Sequence, residues 1–346
     1  MNGSILTKTL KATDSIFTLD IDIAQQSTQS ISSTQNSEGK NNTLRLNFTS
    51  FANENLQSLV LASLKDPSMQ INEDFFKVEK ISAGFSQYLP NLIFERKDDE
   101  AQWSLEKTNN SQSYFNQAPN TETINKSNAL FNQVLLSYVI EWNNLQKRMG
   151  ELRENPNSVG AWMRSFGGGN SDSIYKGNFF ELQLGSDYRF EFAYGDLYLG
   201  TMLNYTQNDI KGDGLKANSK GYGLGAYASL LFANEAYLDT VLRYVYKKHS
   251  VNASFIPSIA FQNSLLNDSS GANTFILSIE AGHRLYLQSF FNYDFLKDFY
   301  VEPQLELIAG HLQGMQWQNE TVSLELLSSN TLSIKPALFF GKKIFP

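Results

Sequence analysis

The side chains with the widest chemical repertoire in this sequence are few and scattered. There is no cysteine, which removes disulfides, thiolate nucleophiles and cysteine-ligated metal sites together. His249, His283 and His311 lie far apart, and the alternation described below puts His283 and His311 on the apolar side of their segments, so no metal site is expected. Gly167-Gly168-Gly169 ends an alternating segment with no helix and no Lys-Ser/Thr behind it, which reads as a turn and not as a phosphate loop. Ser86 in "GFSQY" lacks the second glycine of a nucleophile elbow, and no serine-protease motif is present. No cofactor is expected. What the chain does carry is ionisable side chains at even spacings: Glu181, Asp187 and Arg189; Glu235, Asp239, Arg243 and Lys247; Glu280 and Arg284; Glu302 and Glu306. Successive side chains of a strand point to opposite faces, so this spacing predicts strands with one polar face.

The other parity is apolar. In "NFFELQLGSDYRF" Phe180, Leu182, Leu184, Tyr188 and Phe190 oppose the charged set, and in "EAYLDTVLRYVYKK" Ala236, Leu238, Leu242, Tyr244 and Tyr246 do so. "FILSIEAGHRLYL" and "FYVEPQLELIAG" repeat the pattern with Leu277, Ile279, Ala281, Leu285 and Leu287, and with Val301, Leu305 and Leu307. Alternation of this kind also describes a soluble antiparallel sheet, which leaves a sandwich or jelly roll open. Length favours a membrane. The runs extend over about 10 to 16 residues, against five or six in ordinary sheets, and a tilted strand needs roughly 9 to 11 to cross an outer membrane. Tyr and Phe gather near the strand ends, at Phe179-Phe180, Tyr188 to Phe190, Tyr244 to Tyr246, Tyr286 and Phe299-Tyr300, where interfacial girdles sit.

Upstream, the period differs. Phe131, Leu135, Tyr138, Trp142, Leu145, Met149 and Leu152 fall at steps of three and four, which predicts an amphipathic helix over 126–155 ending at Asn155-Pro156. At about 1.5 Å per residue it would be roughly 35 to 40 Å long, comparable to a bilayer with its headgroups, and its stripe also fits a helix docked on a sheet or paired in a coiled coil. The polar stretch 106–125 before it reads as a linker. Residues 16 to 105 hold short period-two runs, such as "FTLDIDI" with Phe17, Leu19, Ile21 and Ile23 on one face, and the Ser/Gln/Asn tract 24–42 between them reads as a surface loop.

Composition agrees with this organisation. The 346 residues are 41% hydrophobic and 13% aromatic, with 25 Phe and 16 Tyr, a share that suits chains meeting a membrane interface. A net charge of -7 without a basic patch argues against a nucleic-acid partner. No segment reaches eighteen apolar residues, which excludes transmembrane helices, and the opening "MNGSILTKTLKATDSIF" has no signal-peptide pattern.

A β unit, a polar stretch, one amphipathic helix and then long alternating strands resemble the C-terminal region of type V autotransporters. "NNLQKRMGELR" followed by "GAWMRSFGG" is similar to the helix and first strand of their translocators, and "KGYGLGAYASLLFANEAYLDTVLRY", "EAGHRLYL" and "YVEPQLEL" resemble later strands. Gly84 to Leu105, ending in Trp103-Ser104-Leu105, resembles the close of a passenger's folding segment; vacuolating-cytotoxin-like autotransporters are the suggested subgroup. The resemblance implies a mainly β chain: a β-rich, β-helix-like passenger end over 1–105, a linker over 106–125, a pore-plugging helix over 126–155 and an antiparallel transmembrane β-barrel over 160–346. It implies a monomeric barrel in the outer membrane of a Gram-negative bacterium. Expected partners are outer-membrane lipid, the barrel-assembly machinery, periplasmic chaperones and the chain's own passenger, which is delivered to the cell surface. The charged parity then faces the barrel lumen.

The chain is not expected to be an enzyme, with one exception carried by the same resemblance. In serine-protease autotransporters of enteric bacteria, a pair like Asn143-Asn144 cleaves itself when the first side-chain amide attacks its own backbone carbonyl. Asp239, Glu280 and Glu302 match the acidic residues that assist. The family's barrels have about twelve strands and end on an aromatic residue, whereas this chain offers about eight after Gly160 and stops at "GKKIFP". These departures read as an internal piece of a larger reading frame. A soluble β-rich adhesin or binding module is the alternative.

Overall fold

A computed structural model describes residues 4–50, 57–108, 113–139, 158–257, 265–291 and 293–343, and divides into two compact units, one of residues 1–125 with 256–264 and one of residues 126–255 with 265–346.

The first unit stacks short strands in parallel at separations of about one β-helical turn. Ile5–Thr7 lies on Ile31–Ser33, Lys11–Thr13 on Glu38–Lys40, and Ile16–Asp22 on Asn42–Ser50. Ile31 and Ser32 continue onto Ala62 and Ser63, and Asn42 to Leu44 onto Phe76 to Val78. Each coil sends apolar side chains to one interior, where Leu19, Ile21, Ile31, Leu44, Leu61 and Leu64 are buried. The tract 24–42 is therefore not a surface loop: it holds two of these strands, Ile31–Ser33 and Glu38–Lys40, and Ile31 supplies the inward side chain. A stacked rung needs few apolar residues because its neighbours above and below complete the core. Gly39 makes the corner at φ 143°, where a side chain would run into the Ala12 carbonyl.

The stack ends in antiparallel pairing. Glu100–Leu105 lies between Leu92–Lys97 and Leu59–Lys65, and Ser86–Pro90 between Ile81–Ala83 and Phe115–Pro119. Residues 115–119, expected to be linker, are thus a strand, and the helix begins at Thr121, not near Lys126, because the Asn120 side chain accepts from the Thr123 N–H at 3.4 Å and caps the first turn. Asp66 is fully buried here. Burial alone would raise its pKa, but Arg96 at 2.7 Å and the backbone N–H groups of Gln70 and Ile71 hold it below the ordinary carboxylate value. A depressed folded pKa contributes stability that is complete above the unfolded value of about 3.9 and is lost as pH falls through the folded one. The expected result is that the urea resistance of this unit falls as pH drops below about 4, and that Asp66→Asn destabilises the unit at pH 7 with a loss that largely vanishes at pH 3, both followed by Trp103 fluorescence.

In the second unit the helix, α1 (Thr121–Val139, counted here from Lys126), is followed by eight long strands: β1 (Val159–Ser171), β2 (Tyr175–Phe192), β3 (Gly195–Gly212), β4 (Leu215–Phe232), β5 (Ala236–Ala253), β6 (Leu266–His283), β7 (Phe299–Leu312) and β8 (Ser329–Lys342). Every neighbour pairs antiparallel in chain order, with Leu285–Tyr286 added beside β7. Five strands reach 18 residues, longer than the alternating runs alone suggest, because Asn, Ser and Gly positions continue the ladder past the apolar ends. Gly167 to Gly169 lie inside β1 opposite Phe180, Phe179 and Asn178 and are not a turn; the Phe179 ring occupies the space a side chain on Gly168 would need. Among the described residues β1 and β8 have one long-strand neighbour each.

Candidate functional site: the concave face of the long sheet

The two faces of the long sheet differ in chemistry. One carries Phe180, Leu184, Leu199, Leu203, Leu224, Leu238, Leu242, Phe275, Leu305, Leu332 and Ile334, all exposed, an apolar area far larger than a soluble monomer leaves open. The other buries Glu181, Gln183, Asp187, Asp239, Arg243, Lys247, Glu280, Glu302 and Glu306. The buried face is concave. Glu181 on β2 and Arg243 on β5 are three strand spacings apart, about 14 Å if the sheet were flat, yet Arg243 Nη2 donates to Glu181 Oε1 at 2.9 Å. On the intervening β4, Gly225 leaves room beside the Arg243 side chain, and Gly221 does the same for Lys247.

Register aligns several of these groups. Arg189, Tyr198, Ser229, Asp239, Glu280, Glu306 and Lys335 follow one another as direct cross-strand partners from β2 to β8. Three adjacent carboxylates in that row are held by donors: Ser229 Oγ to Asp239 at 2.7 Å, the Tyr237 hydroxyl to Glu280, and Ser278 Oγ to Glu306 at 2.6 Å with Lys335 Nζ 3.6 Å away. Glu302 lies at the end of β7, where Arg284 Nε donates at 2.7 Å and Gln304 at 2.8 Å. Two of the residues expected among this set sit elsewhere: Glu235 is in the β4–β5 turn at φ 64°, accepting from the Tyr286 hydroxyl, and Arg284 lies beyond the end of β6 with its guanidinium 4.6 Å from the Tyr300 ring. Aromatic side chains lie over glycines on the same face, Trp162 over Gly185, Tyr227 over Gly200 and Tyr237 over Gly282. Trp162 Nε1 donates to the Tyr227 hydroxyl at 2.8 Å, which donates to Asp187 at 2.5 Å.

The helix lies against this face. Lys126 pairs with Asp213 in the β3–β4 turn at 2.7 Å, and Gln133 accepts from Asn170 of β1 at 2.8 Å and donates to Asp172 at 3.3 Å. Lys247 Nζ donates to the Ser137 carbonyl at 3.2 Å. The side buried is Ser127, Leu130, Gln133, Val134, Ser137 and Tyr138, so the stripe is rotated from the apolar line through Phe131 and Leu135, which are half-buried. A polar wall selects serine and glutamine as readily as leucine. Phe131 stacks on Trp317 with centroids 6.4 Å apart; Trp317 is buried, donates to the His249 carbonyl at 3.1 Å, and belongs to a hairpin, Met315–Gln318 with Ser323–Leu326, between β7 and β8. Trp317 and Gln133 are the site residues that parity and periodicity did not single out. Trp142, Asn143, Asn144, Leu145, Met149 and Leu152 lie outside the described residues. His249 is buried with Nδ1 2.6 Å from Ser219 Oγ. No group of three or more His, Asp or Glu able to hold a metal ion occurs among the described residues.

Tyr138 seats the helix on β7. A side chain on Gly310 would enter the space of the Tyr138 hydroxyl. The expected effect of Gly310→Ala is a displaced helix, read as faster protease cleavage near Leu136, with recovery in the Gly310→Ala, Tyr138→Phe double variant. Equal cleavage in all three proteins would show that the contact does not seat the helix.

Comparison with known proteins follows the same division. The family model described as "Autotransporter beta-domain" matches residues 158–332. Curated relatives include the serine protease pet autotransporter of Escherichia coli O44:H18, 27% identical over 84% of this chain, and serine protease EspP of Escherichia coli O157:H7, 29% identical over 83%. The SepA serine protease autotransporter of Shigella flexneri is 26% identical over 83%. The chain spans 21%, 20% and 19% of these relatives' lengths respectively. Solved structures that match are the beta domain of the Bordetella autotransporter Brka, with 24% identity, TM-score 0.45 and coverage of 54% of this chain and 72% of that one, and the translocator domain of NalP from Neisseria meningitidis, with 11%, 0.45, 62% and 73%.

Proposed function

The chain belongs to the autotransporter beta-domain family, and we propose on that footing that it is the translocator region of an autotransporter, anchored in the outer membrane of a Gram-negative bacterium, together with the end of its passenger. One observation carries the reading: a long antiparallel sheet with an apolar outer face and a charged concave face that receives the single helix following the β-helical unit. Lipid covers the outer face, because its side chains are apolar and β2 to β7 are hydrogen-bonded to a long strand on each side, which leaves few unpaired polar groups of these strands in hydrocarbon. The polar lumen tolerates an extended chain in transit, and the helix occupies it as the passenger's tail. Residues 4–108 are the passenger end, whose stacked core gives the exported chain a folded terminus at the cell surface. The barrel-assembly machinery and periplasmic chaperones are the expected partners in insertion.

The test uses a cysteine at Lys8, since the native chain has none. A membrane-impermeant maleimide should label it on intact cells, and the chain should fractionate with outer membranes. Labelling only after the envelope is broken would refute surface delivery.

Self-cleavage between Asn143 and Asn144 belongs to the same reading. Three carboxylates, Asp239, Glu280 and Glu302, line the concave face that the helix enters, and a carboxylate near the first Asn amide is what the attack on its own carbonyl requires. Mass spectrometry of the membrane-inserted protein should find two fragments meeting at that bond. An intact chain after prolonged incubation would dismiss the reaction without touching the translocator reading.

A further inference from the structure

The connection between β6 and β7 is unlike the others at its end of the sheet. The β2–β3 and β4–β5 turns there are a few residues long, whereas residues 284–298 form an excursion with two single 3-10 turns, Leu287–Ser289 and Asp294–Leu296. Its large side chains have no core. Phe290, Phe291, Tyr293 and Phe295 are 65%, 55%, 60% and 73% exposed. Four exposed aromatics within six residues would be costly in water on a tether this short.

These rings continue an existing band. At the same end of the sheet the outer face carries Tyr188, Phe190 and Phe192 on β2, Phe299 on β7 and Phe340 on β8, with Tyr194 in the adjoining turn, all exposed. Tyr293 and Phe295 lie side by side with centroids 5.7 Å apart, and Lys342 Nζ sits 5.0 Å from the Phe299 ring, the arrangement of an aromatic body with a cationic tip at a headgroup boundary. The end in question is opposite the one where Lys126 meets Asp213, so it faces away from the point at which the helix enters the sheet's concavity.

We infer that residues 287–291 and 293–296 are an interfacial anchor, whose Phe290, Phe291, Tyr293 and Phe295 side chains dip into the headgroup-acyl boundary of the phospholipid leaflet at the end of the barrel away from the helix entrance. The inference rests on the translocator reading and adds a lipid contact outside the spanning strands. It gives the sheet a fixed depth at one end, where β6 and β7 would otherwise be joined by a bare turn.

The full-length protein is reconstituted in phosphatidylcholine vesicles as single-cysteine variants carrying an environment-sensitive fluorophore at Phe295, Phe290, Leu242 or Lys8. Nitroxide-labelled lipids report depth. Leu242, on the outer face of β5, should be quenched by the deep acyl nitroxide, and Phe295 and Phe290 by the shallow one, about threefold more than Lys8. Quenching at Leu242 with Phe295 and Phe290 no different from Lys8 would overturn the anchor and leave the translocator intact. No quenching at Leu242 would overturn both. Two loop positions guard against one label perturbing the fold.

Discussion

Arg243→Leu should destabilise the long sheet by about 3–5 kcal/mol, because it takes the 2.9 Å guanidinium contact from the buried Glu181 carboxylate. Both side chains are almost inaccessible, at 3% and 2% exposure, and the pair joins β2 to β5 across the concavity. Glu181 also accepts from Gln183 at 2.6 Å, so its charge is committed to partners rather than to water. The relevant comparison is the double variant Glu181→Leu, Arg243→Leu. Removing both charges together replaces a desolvated pair with apolar contact and should recover most of the loss. Urea unfolding in lipid vesicles, read from the heat-dependent shift in gel mobility of folded barrel strands, measures both. A single variant within about 1 kcal/mol of the parent would mean that the concave face is wetter than its burial implies, and that water already screens Glu181. Function gives a second readout. If the pair also tightens the curvature around the helix, its loss should raise leakage of large polar solutes across the membrane.

Much of this sheet was legible as sequence, for a physical reason. A strand with lipid on one side and charge on the other must alternate without exception in its middle, so Glu181, Asp187, Asp239, Arg243, Lys247, Glu280, Glu302 and Glu306 announce their face by parity alone. The signal fails at the ends, where Glu235 and Arg284 keep the parity but the backbone has already turned. It fails differently in the β-helical unit. Ser, Gln and Asn dominate 24–42 because stacked rungs put most side chains outward, and nothing in the tract's composition distinguishes a rung from a loop. The helix shows a third case. An apolar stripe finds the buried side only when the wall is apolar; here the wall presents Asn170, Asp172 and Lys247, and Gln133 and Ser137 take the contacts. Trp317 was out of reach because its partner Phe131 is almost two hundred residues away in the chain, and its burial depends on a hairpin folding inward. What the carboxylate row could do chemically is equally invisible without register. Asp239, Glu280 and Glu306 lie on three different strands, and only direct cross-strand pairing sets them side by side.

Trp103→Ala should cost about 3–5 kcal/mol in the first unit and leave the long sheet unchanged. The indole is fully buried, with Phe76 5.1 Å away edge-on, Phe94 at 5.0 Å and Phe75 at 5.9 Å, and its Nε1 donates to the Glu73 carbonyl at 3.3 Å. Its strand, Glu100–Leu105, has a partner on each side, so a cavity there touches the hairpin and the last parallel strand at once. A phenylalanine at this position keeps most of the ring contact and loses the hydrogen bond, and its cost should fall to about 1–2 kcal/mol. Each unit has its own core, and the cluster around Trp103 contains no residue of the long sheet. Limited proteolysis of membrane-inserted protein therefore separates the two: the alanine variant should lose protection across residues 57–108 while its barrel strands keep the parent's heat-dependent gel shift. Under the proposed function, surface display then becomes the sensitive quantity. A passenger end that folds poorly outside the cell withdraws the driving force for export, so labelling at Lys8 on intact cells should fall for alanine and hold for phenylalanine. Loss of the barrel's gel shift in the alanine variant would mean instead that the β-helical unit is needed to fold the sheet, and the two units would not be independent.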